Sequence, residues 1–381
     1  MTRTTLPVPP PTTLTDYEQI GFATSANLSD GHAYQDLSPG QSDVVARLAE
    51  LWSTSEAMSV PESERLYLNR YAGLIGSAHL GSAAAHLVLP TASNSIDLVA
   101  SYLALRGDRV LLTHPTFDNL ALILRRRGVT PHPITEDRLT GDLAPVLAGA
   151  DVLFLVTPNN PTGGHLERER FEQIVLTCQR LGVILVVDAS FRLFQPQDWD
   201  TYQVLLDSGV SFIVFEDTGK VFPTQDMKAS LLACSADHGA ALRELYNEIY
   251  LCVSKFSLAV LGEFFDDARR EGLDRSVRAL VARRRARLRG ALGDHVVDPA
   301  AVGSRISVEW LSTGGRSDLR VTAELRERGL GVLPGRGFFW DRAAGDTAGT
   351  GNVRVSLMKP EAEFDRGLEI LAAYAAEVLH R

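Results

Sequence analysis

The sequence predicts an α/β fold, with a mostly parallel central sheet and a smaller α+β C-terminal domain. Three observations predict it. Short apolar runs rich in β-branched residues, such as Asp151–Thr157 (DVLFLVT) and Val183–Asp188 (VILVVD), lack polar alternation, as strands buried on both faces do. These runs alternate with segments of helical periodicity, the signature of βα units. From about Asp237 to Leu292 the pattern is almost wholly helical, and residues 295–381 then mix short strands with helices.

The elements run in order along the chain. Residues 1–13 are rich in Pro and Thr and read as a flexible or extended arm. Helices are expected over Gln41–Glu56, Glu62–Ile75, Ser95–Arg106, Phe117–Arg127 and Glu167–Leu181. Strands are expected at Asp108–Thr113, Asp151–Thr157, Val183–Asp188, Ser211–Glu216 and Ala229–Cys234. In the C-terminal part, strands Arg305–Trp310 and Val353–Leu357 accompany helices Ser317–Gly329 and Glu361–Leu379. The division expected is an N-terminal arm and substrate lid (1–45), a large domain (46–255) and a small C-terminal domain with its linking helix (256–381).

Bulk properties narrow the function. The 381 residues carry a net charge of −9, which argues against a nucleic-acid or anionic-membrane surface. The basic run Arg283–Arg289 is interspersed with Ala and Leu and reads as a solvated helix face. Three scattered cysteines, Cys178, Cys234 and Cys252, form no CxxC pair and suit a reducing compartment. With no apolar leader and no long apolar segment, a cytoplasmic location is expected. GxGxxG, GxxxxGK[ST], HExxH and GxSxG do not occur, so neither a dinucleotide site, a metalloprotease nor a serine hydrolase has a fingerprint.

Five landmarks fall at the ends of predicted strands or the start of a helix. Thr91-Ala92-Ser93-Asn94-Ser95 precedes a helix, where free N–H groups suit an anion such as phosphate; a plain helix cap is the simpler account. Phe117 follows a strand and could stack on a flat heterocycle or simply fill core. Thr157-Pro158-Asn159-Asn160-Pro161-Thr162-Gly163 is a rigid turn whose amide suits a phenolate oxygen. Asp188 ends an apolar strand and needs a cationic partner such as a protonated pyridine nitrogen. Lys220 follows another strand, where desolvation favours a neutral amine; a salt-bridged surface lysine is the alternative. The spacing joins them: Asn160 to Asp188 is 28 residues and Asp188 to Lys220 is 32, each one βα step, with Lys228 eight residues further on. Arg354 adds a planar guanidinium fitted to a carboxylate.

In this order the sequence resembles the fold-type-I pyridoxal-phosphate (PLP) enzymes, the aspartate aminotransferase superfamily, over essentially its full length. The resemblance implies PLP as cofactor, with Lys220 as the Schiff-base lysine and Asp188 on the pyridine nitrogen. It also implies Asn160 on the ring oxygen, Phe117 stacked on the ring, and Ala92, Ser93 and Lys228 on the phosphate. Arg354 would take the substrate carboxylate, and the active form would be a homodimer. Two positions depart from an ordinary aminotransferase. Phe191 stands where a tyrosine usually donates to the ring oxygen, which makes Ser190 the candidate replacement, and Asp217 lies where hydroxyl residues usually precede the lysine.

The segments Leu14-Thr15-x-x-Glu18, Ser29-Asp30-Gly31-His32-Ala33, Leu37–Gln41, His114–Asn119, Thr157–Gly163, Ser190-Phe191-Arg192 and Glu216–Lys220 together resemble a smaller subgroup. This subgroup comprises the PLP-dependent L-arginine oxidases and hydroxylases of guanidino-amino-acid antibiotic biosynthesis. The resemblance implies dioxygen as cosubstrate without metal or flavin, Lys220 as the base at Cα, and 4-hydroxy-2-oxo or dehydro-2-oxo products with release of ammonia. His32 then becomes a candidate for proton transfer, and Glu18, Asp30 and Asp217 candidates for the guanidinium, with Asn160 also expected to touch the substrate. Thr15 is expected to cap the helix bearing Glu18, as part of a substrate lid. A conventional aminotransferase acting on a basic amino acid is the alternative.

Overall fold

The computed structural model describes residues 11–196, 198–293, 296–343 and 345–379. Its helices are α1 (Leu14–Gly21), α2 (Pro39–Ala46), α3 (Leu48–Ala57), α4 (Val60–Ile75), α5 (Ala92–Arg106), α6 (Asn119–Arg126), α7 (Ala144–Leu147), α8 (Arg168–Leu181), α9 (Thr201–Ser208), α10 (Ala236–Ile249), α11 (Lys255–Glu271), α12 (Val277–Leu292), α13 (Asp318–Glu327) and α14 (Glu361–Tyr374). Its strands are β1 (Ala26–Asn27), β2 (Ala85–Leu89), β3 (Val110–His114), β4 (His132–Thr135), β5 (Val152–Val156), β6 (Ile184–Asp188), β7 (Phe212–Asp217), β8 (Ser230–Cys234), β9 (Val308–Ser312), β10 (Leu330–Gly331), β11 (Leu333–Pro334) and β12 (Asn352–Ser356).

A seven-stranded sheet runs in the order β2-β8-β7-β6-β5-β3-β4. Only β8 opposes its neighbours; β7, β6, β5, β3 and β4 pair parallel. Both faces of this sheet are covered. Along β5, Val152, Phe154 and Val156 enter one apolar cluster while Leu153 and Leu155 enter another. The period-2 alternation of a strand therefore separates two cores, which is why the sequence shows an unbroken apolar run. The helices between strands carry local start and stop signals. In α4, Ser59 and Glu62 form a capping box and Gly76 ends the helix at φ 68°. In α5, Thr91 accepts from the backbone N–H of Asn94, and Gly107 ends the helix at φ 72°.

A three-stranded antiparallel sheet, β11-β12-β9, lies with α12, α13 and α14 in the C-terminal part. The N-terminal segment joins it: β1 pairs parallel with β10, and α1 packs on β10 and β11. Helix α11 lies against α4, where Glu263 receives Arg70 at 2.9 Å and Arg47 at 2.8 Å. Among the described residues, no helix is long and apolar enough to cross a membrane.

Several expectations need correction. The helix expected over Gln41–Glu56 is two helices, α2 and α3, separated at Arg47. Strands β2 and β4 of the large sheet, and the two-residue strands β1, β10 and β11, have no counterpart among the expected strands. In β4 only Ile134 is buried, and Pro133 is tolerated because the strand is an edge. Residues 1–10 of the expected arm lie outside the described residues. The basic run is not a solvated face throughout: Arg284 and Arg285 are buried, and Arg285 and Arg289 meet the fully buried Glu309 at 2.5 and 2.6 Å. These arginines fasten α12 to β9, a contact that charge counting along the sequence does not reveal. Removing one partner of a buried ion pair leaves the other charged and uncompensated. We therefore expect Glu309→Gln to lower stability by about 3–5 kcal/mol, read as a reduced urea midpoint.

Candidate active site

Strands β5, β6 and β7 are adjacent and parallel, so their carboxyl ends open at one edge of the sheet, where ligands of α/β proteins bind. The turn after β5 carries Asn160, β6 ends on Asp188, and the loop after β7 carries Lys220. Opposite them stand the first residues of α5, Ala92 and Ser93, and Phe117 after β3. Arg354 enters from β12, and Thr15, Glu18, Asp30 and His32 enter from the N-terminal segment. Together with Ser190, Asp217 and Lys228, these residues all border one cavity of about 410 Å³. The structure thus brings together every site residue expected from the sequence.

Asp188 is 6 % exposed, and its carboxylate accepts from the Ser190 N–H at 2.9 Å. Burial drives its pKa up to about 6 against the Ser190 hydrogen bonds; the neighbouring Asp217 adds to the rise and Lys220 opposes it. Asn160 is buried with its side-chain oxygen unpartnered. A buried carboxylate and a side-chain amide whose NH2 can donate, in one cavity, fit a flat heterocycle with a protonated nitrogen and a ring oxygen, as PLP has. The N-terminus of α5 on the same cavity suits its phosphate. Phe117 is half-buried rather than core, standing edge-on to Phe338 at 5.9 Å.

The polar side of the cavity is more heavily paired than the sequence suggests. Asp30 Oδ1 accepts from the His32 backbone N–H at 2.9 Å and lies 2.8 Å from His32 Nδ1. Burial would raise the Asp30 pKa, but the hydrogen bonds from His32 and the charge of Lys359 hold it well below the usual range. With its proton on Nδ1 toward Asp30, His32 presents Nε2 as an acceptor, 3.1 Å from Lys228 Nζ. Lys228, expected at a phosphate, therefore also touches His32 and lies 3.6 Å from Asp226. Arg354, 1 % exposed, donates to the Ser29 carbonyl and lies 3.4 Å from Glu18 Oε1. Burial lowers the Arg354 pKa, opposed by Glu18 and Asp30.

Thr15 does not cap α1. Thr13 does, in a reciprocal box with Asp16, and Thr15 sits in the first turn with a place on the cavity wall. Helix α1 is further held by Asp118, whose Oδ2 accepts from the Leu14 N–H at 2.9 Å. Sequence patterning assigns no role to Asp118, Asn119, Tyr34, Asp226 or Lys359, although Asp118 and Asn119 stand within the segment His114–Asn119. Nor does it explain why Glu216 and Arg192 accompany their motifs. Glu216 is buried, 2.9 Å from Arg192 Nε, and accepts from Tyr71 and Tyr202 hydroxyls at 3.0 Å each. This knot ties the loop after β6 to the end of β7, and so sets Asp188 relative to Lys220.

Residues 32–371 match the family described as aminotransferase class I and II. The chain belongs to that family. Its members are PLP enzymes, in accord with the fit of the cavity. The structure is similar to that of MppP soaked with the product 2-ketoarginine, with a TM-score of 0.85 and 36 % identity over 92 % of this chain and 99 % of that one. It shares its fold with aspartate aminotransferase from Thermus thermophilus with maleate, at a TM-score of 0.75, 15 % identity and 96 % and 97 % coverage. Among curated proteins, histidinol-phosphate aminotransferase of Thermococcus kodakarensis is 28 % identical over 194 residues, 49 % of this chain. The chain spans about half the length of that relative, 54 % of it.

Asp188 yields a pH test. An unfolded aspartate titrates near 3.9, and folded Asp188 at about 6. Its stabilising contribution is thus complete below about pH 4 and lost as pH rises through 6. Cofactor-free wild type should gain stability relative to Asp188→Asn as pH falls from about 7 to 4.5, followed by thermal unfolding. A pH-independent difference between the two proteins would contradict a raised Asp188 pKa.

Proposed function

We propose that this protein is a PLP-dependent, O2-dependent oxidase or hydroxylase of L-arginine, working as a homodimer. Its products would be 4-hydroxy-2-oxo or dehydro-2-oxo derivatives of arginine, with ammonia released. The observation that carries this reading is the acidic side of the cavity, where Glu18, Asp30 and Asp217 face the same space as Lys220 and Arg354. A guanidinium keeps its charge and offers five donors, so carboxylates that share a cavity with a carboxylate-binding arginine suit arginine better than an apolar amino acid. The similarity to MppP, with its product 2-ketoarginine, supports the same substrate.

In this reading Asn160, Ser190 and Phe117 hold the cofactor ring, Asp188 its nitrogen, and Ala92, Ser93 and Lys228 its phosphate, while Lys220 binds it covalently. When bound, the cofactor supplies an electron sink for the carbanion formed at the substrate carbon. Arg354 orients the α-carboxylate, and Lys220 takes the proton from Cα. Asp188 stays ionised opposite the protonated ring nitrogen. His32, its tautomer fixed by Asp30, presents Nε2 to exchange a proton with reduced oxygen or water. Helix α1, with Thr15 and Glu18, screens the site from bulk water.

The second reading, an aminotransferase for a basic amino acid, is favoured by the names of the curated relatives. Both are tested by incubating the protein with L-arginine in air without a keto acid, following O2, ammonia and products by mass spectrometry. The oxidase reading expects O2 uptake and ammonia. Amino transfer only after a keto acid is added would establish the second reading instead. Lys220→Ala should lose turnover and the visible absorbance of the Schiff base while its thermal unfolding midpoint stays close to that of cofactor-free wild type, which separates loss of the covalent link from misfolding.

A further inference from the structure

Glu18 lies in the second turn of α1, its side chain 14 % exposed, and its only ion pair among the described residues is with Arg354 at 3.4 Å. Arg354 is buried, and its Nε has no hydrogen-bond partner. Glu18 is therefore the one carboxylate, among the described residues, at ion-pair distance from this guanidinium, while Asp30 acts from further away. The same two residues are the ones proposed to hold opposite ends of the substrate. They cannot serve one another and a ligand at the same time.

We infer that Glu18 and Arg354 are exchange partners: each neutralises the other until a ligand answers both charges, with an α-carboxylate at Arg354 and a distal cation at Glu18. The inference rests on the arginine reading and specifies how that site selects its substrate. An amino acid without a distal cation would bring a second carboxylate to Arg354. Glu18 would then either share the guanidinium with a like charge or give up its one ion-pair partner among the described residues, with Lys359 acting on it from further away and already committed to Asp30 at 3.9 Å. Both outcomes strand a poorly solvated carboxylate, a cost larger than the loss of one surface contact. A cationic side chain restores the pair at its other end. Selection then comes as much from the penalty on wrong ligands as from attraction to the right one.

The mounting of α1 permits the exchange. Its first turn is fixed by the Thr13–Asp16 box and by Asp118 on the Leu14 N–H. Glu18 stands one turn further along, so its side chain can change partner while the helix stays docked.

The test uses the holoenzyme under anaerobic conditions. Binding of L-arginine, and of L-citrulline, which has a similar shape and a neutral end, is titrated through the cofactor's visible absorbance. In wild type, arginine should bind at least about tenfold tighter than citrulline. In Glu18→Gln, citrulline should bind about tenfold tighter than it does to wild type, while arginine weakens. Glu18→Asp, which keeps the charge, should keep the preference for arginine. Hydrogen exchange over residues 14–21 reports whether α1 remains docked in each variant. If citrulline binds Glu18→Gln no better than wild type, whether or not the helix stays docked, the exchange is wrong. If wild type itself does not prefer arginine, the substrate reading fails, and the citrulline gain still decides the exchange.

Discussion

A parallel sheet aligns the directions of its strands, and here that alignment does more than build a core. Strands β5, β6 and β7 lie side by side and point the same way, so their carboxyl ends deliver an amide, a carboxylate and an amine to one rim. The strands are apolar along their length because both faces are covered, which leaves their ends as the places where polar groups can stand. Asp188 bears the consequence: the sheet that positions it also desolvates it, and it becomes a group in need of a cation. The buried Glu216–Arg192 knot with its two tyrosines then fixes the spacing between the β6 and β7 ends.

Polar groups in the cavity are arranged as short linked chains rather than as isolated groups. Lys359, Asp30, His32 and Lys228 form one such chain, and Glu18 with Arg354 forms another. Such chains keep buried charges neutralised in the absence of a ligand, and they make each group's behaviour depend on its neighbours. Asp30 illustrates the point, since its carboxylate faces the cavity while one of its oxygens is committed to His32.

How much of this is legible in the sequence differs by scale. The βα rhythm is plain because β5, β6 and β7 are apolar up to their carboxyl ends, and the steps from Asn160 to Asp188 to Lys220 derive from that rhythm. Strand β4 is hidden because an exposed edge strand with a proline carries no apolar run. The break at Arg47 is hidden because α2 and α3 are both helical in composition. The N-terminal residues are placed by resemblance to a family rather than by periodicity, and the cap falls on Thr13 because the choice between neighbouring threonines turns on backbone geometry. Nothing in the spacing marks Lys359 or the buried arginines of α12, because their partners lie far along the chain. Long-range ion pairs leave no local pattern.

The pairing of β1 with β10 joins Ala26 and Asn27 to Leu330 and Gly331. On a ribosome, the first of these segments emerges long before the second exists. At synthesis rates of about 5–20 residues per second, the leading segment waits roughly 15–60 s for its partner. The large sheet can assemble in that interval, while the helix that carries Glu18 still lacks β10 and β11, the strands it packs on. The Glu18 side of the cavity is therefore among the last parts of the molecule to be put in place, and a newly made chain passes through a stage with its cofactor-binding strands formed and that side still open.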